Sequence, residues 1–301
     1  MLKHVSGILA ALALAALSGC ASKPAPVTAP PVAQQSSSDG LELRLWPIEE
    51  SSPALARLFL PYEKAESPLD PRTLKRLRDS GLRVVVVPSD DLDRIAANLK
   101  FRGAIEAQAS RDRSEWSIFV ASKGSQSFTT IRSADGNLVL GSGELRLLGR
   151  AWVAPGPSIE GKFPAVLRVE LMGRHVEEKN TAAKLEDALR PQVKRPVETE
   201  GIPLPALDAS FQLNRGQSLV IIPEYPDVDW TRESRLPNYI EKEPETTAEI
   251  NEALNPNGPI APDVPTLGHG LLSDATFGAK PRKRAILVLV PKLPAEFRLF
   301  R

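Results

Sequence analysis

The sequence predicts an α+β fold that is mainly β, with a small α/β module over residues 41–110 followed by a β-rich antiparallel domain over residues 111–301. Three observations carry this. Apolar residues recur with a period of two through much of the second half, as on one buried face of a strand. The clear helix-opening signals fall between residues 70 and 100. The 28 prolines favour short strands and irregular connections over long helices.

In the first module, Leu41, Leu43 and Leu45 alternate with Glu42 and Arg44, the pattern of a half-buried strand. Residues 52–68 show no clear period. Asp70-Pro71 opens a helix, with Asp as cap and Pro at the first helical position. Leu74 and Leu77 share one face of that helix, and Gly81 stops it. Residues 82–87 form a β-branched run between Gly81 and Pro88, which predicts a buried strand. Ser89 is placed to cap a second helix, with Asp90, Asp91 and Asp93 at its positive dipole end. Leu92, Ile95, Ala96 and Leu99 give it an apolar stripe.

From Trp116 onward, residues 116–120, 137–140 and 144–153 read as strands, punctuated by turns at 133–136 and 141–143. Leu167, Val169 and Leu171 continue the alternation. Phe211 and Leu213, a turn at 214–217 and the run 219–222 read together as a hairpin. Residues 227–265 are rich in Glu, Pro and Asn and predict a flexible, solvated excursion. After the basic run 280–284, residues 285–290 are aliphatic at every position. That pattern predicts a strand buried on both faces, paired on both edges, with 219–222 as its neighbour.

The N-terminus has a different character. Lys3 precedes an apolar run over residues 5–17, broken only by Ser6 and Gly7 and too short to span a bilayer. It ends in Leu17-Ser18-Gly19-Cys20, which resembles the lipobox of bacterial lipoproteins. The resemblance implies a signal peptide over residues 1–19, cleavage before Cys20, and an anchor of diacylglycerol and acyl chains such as palmitate on that residue. Residues 20–40, rich in Pro, Ala, Ser and Gln, follow as a disordered tether. Ala21, where inner-membrane lipoproteins carry Asp, resembles the outer-membrane sorting pattern and implies a body facing the periplasm. Cys20 is the only cysteine, so internal disulfides and cysteine metal sites are excluded.

Little in the chain suggests catalysis. The net charge of +1 argues against steering toward nucleic acid. His4 leaves with the signal, His175 reads as a surface residue near a strand end, and His269 between two glycines reads as a turn. No nucleophile elbow or phosphate-binding glycine loop is present, and the sequence assigns no catalytic residue, metal ligand or cofactor. The run 280–284 reads as a solvated turn rather than a phosphate or lipid site. The tryptophans Trp46, Trp116, Trp152 and Trp230 read as core or rim residues before a ligand platform.

The order of features after residue 140 resembles the C-terminal domain of bacterial secretins, the outer-membrane rings of secretion machines. It comprises Gly149-Arg150-Ala151-Trp152-Val153-Ala154-Pro155, residues 167–172, Arg215-Gly216-Gln217-Ser218 with its following apolar run, Val264-Pro265-Thr266-Leu267-Gly268, and residues 285–291. Departures are Pro223-Glu224 in place of Gly-Gly, Leu271-Leu272 in place of a longer motif, and Val290 in place of Thr. They point to a non-pore relative. The expectation is a non-enzymatic, lipid-anchored envelope protein that binds or scaffolds protein partners, or self-assembles, in an outer-membrane secretion setting. The alternative is an extracytoplasmic hydrolase or ligand-binding enzyme using carboxylates that sequence cannot pair.

Overall fold

The computed structural model describes residues 39–49, 52–110, 113–122, 124, 129–158, 162–179, 196–235, 264–273, 284–294 and 297. The signal peptide, Cys20 and nearly all of the tether lie outside the described residues, as do His4 and residues 236–263 of the excursion. Among the described residues no helix is long and apolar enough to cross a membrane.

Strand β1 (Gly40–Ile48) changes its buried face midway, with Leu41, Leu43 and Leu45 on one side and Trp46 and Ile48 on the other. The stretch without a clear period folds as helix α1 (Ser52–Phe59) and a 3-10 turn, Leu60–Tyr62. Helix α2 (Pro71–Asp79) opens as expected, the Asp70 side chain accepting from the N–H groups of Arg72 and Thr73 at 2.9 and 3.0 Å. Gly81 ends it at a φ of +83°, and a Cβ there would meet Thr266 Oγ1 at 1.8 Å. Strand β2 (Leu82–Pro88) follows. Ser89 does not cap the next helix. It begins the 3-10 turn Ser89–Asp91 and shares a 2.8 Å hydrogen bond with Ser218, while helix α3 (Leu92–Ala97) starts three residues on. Its expected stripe holds: Leu92, Ile95 and Leu99 are buried and Ala96 packs beside them.

The remaining elements are β3 (Glu106–Ser110), β4 (Arg113–Ala121), β5 (Thr129–Ser133), β6 (Gly136–Leu140), β7 (Gly143–Pro155), β8 (Ala165–Glu177), β9 (Ile202–Leu213), β10 (Gln217–Pro223), α4 (Trp230–Glu233), α5 (Leu267–Leu272) and β11 (Arg284–Lys292). The fold is mainly β with antiparallel sheets, as the sequence predicts. One sheet has five strands in the order β2-β10-β11-β1-β3, a second has four in the order β4-β7-β8-β9, and β5 pairs with β6. β11 lies between β10 and β1, so the aliphatic run is central and neighbours residues 219–222.

Two expectations are corrected here. β9 and β10 do not form a hairpin: the turn at 214–217 carries the chain from the four-stranded sheet to the five-stranded one. The division at residue 110 is absent in space, because β1, β2 and β3 share a sheet with β10 and β11. A strand of six aliphatic residues needs partners on both sides, and those flanking β11 come from both ends of the chain.

The five-stranded sheet is the middle layer. On one face, Val85, Val87, Val220, Ile222, Ile286 and Val288 pack against α1, α3 and Trp230. On the other, Val86, Leu219, Ile221, Leu287 and Leu289 meet the inner face of the four-stranded sheet, with α2 and α5 contributing Leu77, Leu267 and Leu271. Trp230 corrects the solvated reading of 227–235: it is 1% exposed, stacked near Phe59 and under the Arg83 guanidinium at 4.2 Å.

Candidate functional site

The four-stranded sheet is built largely by alternation, although Leu148, Ala154 and Val166 are buried at even-numbered positions. Leu145, Leu147, Ala151 and Val153 of β7 and Leu167, Val169 and Leu171 of β8 point inward, so the even-numbered residues of both strands point outward. On β4 a bulge between Ile118 and Val120 turns both Phe119 and Val120 into the core. Gly149 makes room for this, since a Cβ there would lie 2.2 Å from the Phe119 ring. Trp116 and Ile118 are left on the outer side, half-buried and exposed respectively.

At the centre of the outer face, the Arg150 guanidinium sits 4.9 Å from the Trp116 ring centroid and 5.4 Å from that of Trp152. It donates to Glu170 Oε2, directly opposite on β8, through Nε at 2.7 Å and Nη2 at 2.6 Å. Trp152 faces Arg168, while Ser210 and Gln212 of β9 extend the same two rows. An apolar row, Ile118-Leu148-Met172, runs alongside, with Leu148 fully buried at its middle, and beyond it Arg146 pairs with Glu144 and, at 2.8 Å, with Glu200. Cation–π contacts contribute about 0.5–1 kcal/mol each when exposed, and a surface ion pair rarely more than ~1. Their main effect is to hold Arg150 in one orientation. The outward positions of β7 and β8 include Trp152, Met172, Arg146, Arg150, Arg168 and Arg174, and no lysine. Aromatic, Met and Arg enrichment with Lys depletion is the compositional mark of protein–protein interfaces.

A second polar group lies where β2 begins and β10 ends. Glu224, 2% exposed, accepts from Ser52 Oγ at 3.0 Å, Tyr225 N–H at 3.1 Å, and Trp230 Nε1 and Arg284 Nη1 at 3.5 Å. Nearby, His269 Nδ1 is 2.8 Å from Thr266 Oγ1, and Tyr225 stacks on the imidazole at 4.1 Å. Burial, helped by the Arg284 charge, pushes the His269 pKa down to about 3. Hydroxyl and imidazole thus meet, while the carboxylate is bound to Ser52, Tyr225, Trp230 and Arg284. Thr266, His269 and Glu224 are nevertheless all buried, and the group serves to tie α1, β10, α4, α5 and β11 together.

The two acids with shifted, partly buried carboxyls stand on different sheets. Asp208 in β9 is raised by burial, against the Gly173 N–H and the charges of Arg76 and Arg174. Burial also works to raise Glu42 in β1, but hydrogen bonds and charge from Arg44 and Lys292 hold it below the usual carboxylate range. Among the described residues no three His, Cys, Asp or Glu side chains converge to hold a metal ion. A cleft of about 430 Å³ between Pro157, Pro164, Asn214, Arg215 and Pro294 has no carboxylate among the described residues that line it.

Several sequence expectations resolve at these residues. His175 is not at the surface but 2% exposed, because the inward parity of Leu167, Val169 and Leu171 continues to it. His269 is not in a turn: it lies in α5, whose cap is Thr266, accepting from the His269 N–H at 3.3 Å. Of the basic run, 280–283 lie outside the described residues, and Arg284 is buried against Glu224 rather than solvated. Trp46 and Trp230 are core residues, while Trp116 and Trp152 flank Arg150. Sequence reading misses this last array because its members come from three strands and meet only through register. No protein-family model, curated protein or solved structure matches the chain, and the site rests on its geometry alone.

Proposed function

We propose that the chain is a non-enzymatic, lipid-anchored envelope lipoprotein that binds or scaffolds a protein partner through the outer face of its four-stranded sheet. The observation that carries this reading is Arg150, held between Trp116 and Trp152 and fixed by Glu170 on that face. Leu17-Ser18-Gly19-Cys20 and Ala21 support an anchor at Cys20 in the outer membrane, with the body facing the periplasm. An outer-membrane secretion assembly remains the setting suggested by the secretin resemblance. β10 and β11 as neighbours agree with it, and β9 and β10 in different sheets depart from it. A carboxylate-dependent hydrolase would need an accessible acid pair, whereas Glu224 and His269 are buried.

Two experiments test the two halves of this proposal. Cys20→Ala should move the protein from the membrane to the soluble exported fraction, and persistence in the membrane would place the anchor elsewhere. A photo-cross-linking residue at Gln212, on the outer face, should give discrete protein adducts in intact cells. The same residue at Asp93, a fully exposed side chain on the helix layer, should not. Equal labelling from both positions would contradict a dedicated face.

A further inference from the structure

The two edges of the five-stranded sheet differ. β2 is mostly buried, with Leu82, Val85, Val86 and Val87 all below a tenth exposed and the Gly268 N–H of α5 bonded to Ser80 O beside its start. β3 is the opposite: residues 102–108 are exposed, and among the described residues the strand has β1 as its one strand neighbour. Natural edges are blunted by lysine, proline or bulges. β3, Glu106-Ala107-Gln108-Ala109-Ser110, is short and carries one charge, Glu106, but has no lysine, proline or bulge.

The register fixes which backbone groups face out. Arg102 N–H donates to Pro47 O at 2.9 Å and Glu49 N–H donates to Lys100 O at 3.0 Å, so odd-numbered residues of β1 turn their backbone groups toward this neighbour. Leu43 and Leu45 stand opposite Gln108 and Glu106, which are therefore the hydrogen-bonded pairs of the ladder. By alternation, the N–H and C=O of Ala107 and Ala109 point away from the sheet.

We propose that two copies of this chain pair through this edge, antiparallel and centred on Ala107, joining their five-stranded sheets into one continuous sheet. In that register Ala107 opposes its own copy, Glu106 opposes Gln108, and Ile105 opposes Ala109. No like charges face each other within the strand. The interface is self-complementary, as a two-fold dimer requires. It is also short, below the ~1,200 Å² of standard interfaces, so pairing is transient in dilute solution and is favoured when copies are held close together. The inference concerns a different surface from the proposed docking face and does not depend on the anchor.

The test uses the full chain in intact cells. Paired residues of this kind lie about 5.5 Å apart between Cα atoms, within disulfide reach. The two Ala109 copies would lie about 13 Å apart, beyond it. Under mild oxidation Ala107→Cys should form several-fold more covalent dimer than Ala109→Cys or the parent. With two differently tagged copies fixed by a chemical cross-linker in intact cells before lysis, Ala107→Lys in both should cut co-purification at least ten-fold, and pairing an Ala107→Lys copy with an Ala107→Glu copy should restore it. That rescue separates a lost contact from a lost fold. Cross-linking of Ala107→Cys no greater than of Ala109→Cys, undiminished co-purification of the Lys pair, or no recovery in the Lys/Glu mixture would overturn the proposal, whatever the Gln212 and Cys20 experiments show.

Discussion

The two sheets solve the same burial problem with opposite sequence patterns. In the five-stranded sheet, Leu219 to Ile222 and Ile286 to Val290 are apolar at every position and at most 2% exposed, because helices cover one face and the second sheet covers the other. In the four-stranded sheet the odd positions of β7 and β8 make the core, and the even positions carry Arg146, Arg150, Trp152, Arg168, Glu170 and Arg174. Where alternation is lost, both parities are committed to packing. Where it persists, the other parity is partly open: Arg168 is exposed and Arg150, Trp152 and Glu170 are half-buried, while Leu148, Ala154 and Val166 are covered. The proposed docking face lies on the alternating sheet.

This contrast can be broken by placing one new charge in each sheet. Val288→Asp buries an unpaired carboxylate in the middle layer at several kcal/mol, a large share of a typical stability of about 5–15. The cooperative urea transition followed by tryptophan fluorescence should be lost. A parent-like transition would mean that β11 is not central. Gly149→Val, which drives a side chain into Phe119, should cost about 1–3 kcal/mol in the same assay and disturb β4 more than the five-stranded sheet.

A pH titration examines the polar group at the sheet end. His269 has a folded pKa of about 3, below its ordinary 6.5, so the unfolded chain takes up a proton that the native chain refuses. The resulting stability is fully present above pH 6.5 and falls by about 1.4 kcal/mol per unit as pH drops below it. Between pH 6.5 and 5.5, above the range in which ordinary carboxylates titrate, the parent should lose about 1 kcal/mol relative to His269→Gln, since the unfolded chain is already half protonated at pH 6.5. A parent slope equal to that of the variant would show that the imidazole is not held neutral by burial. The smallest effect belongs to the outer face: Arg168→Asp should change stability by no more than about 0.5 kcal/mol, and a larger loss would mean that this parity is packed.

Much of this architecture was legible where a signal is local. Asp70-Pro71 and Gly81 bound α2 because caps act within one turn, and the six aliphatic residues before Pro291 located the central strand because burial on both faces removes polar parity. The failures are long-range. Asn214 to Gln217 has turn chemistry whether its flanking strands pair or part, so the switch between sheets left no local trace. The interleaving of β10 and β11 among β1, β2 and β3 depends on contacts across most of the chain. His175 was readable in principle, since its parity matches Leu171, but an imidazole beside Arg174 invites a surface reading. The set of Trp116, Arg150, Trp152 and Glu170 needs strand order and register before it exists at all.

The central claim is that the outward parity of the four-stranded sheet serves binding and not folding. Its most direct test is the yield of Gln212 photo-adducts in a Trp152→Ala chain, with the urea midpoint measured on the same protein. The account predicts loss of most of the adduct with stability within about 1 kcal/mol of the parent. Retained adducts with a stability loss as large as that of a core truncation, about 3–5 kcal/mol, would contradict it.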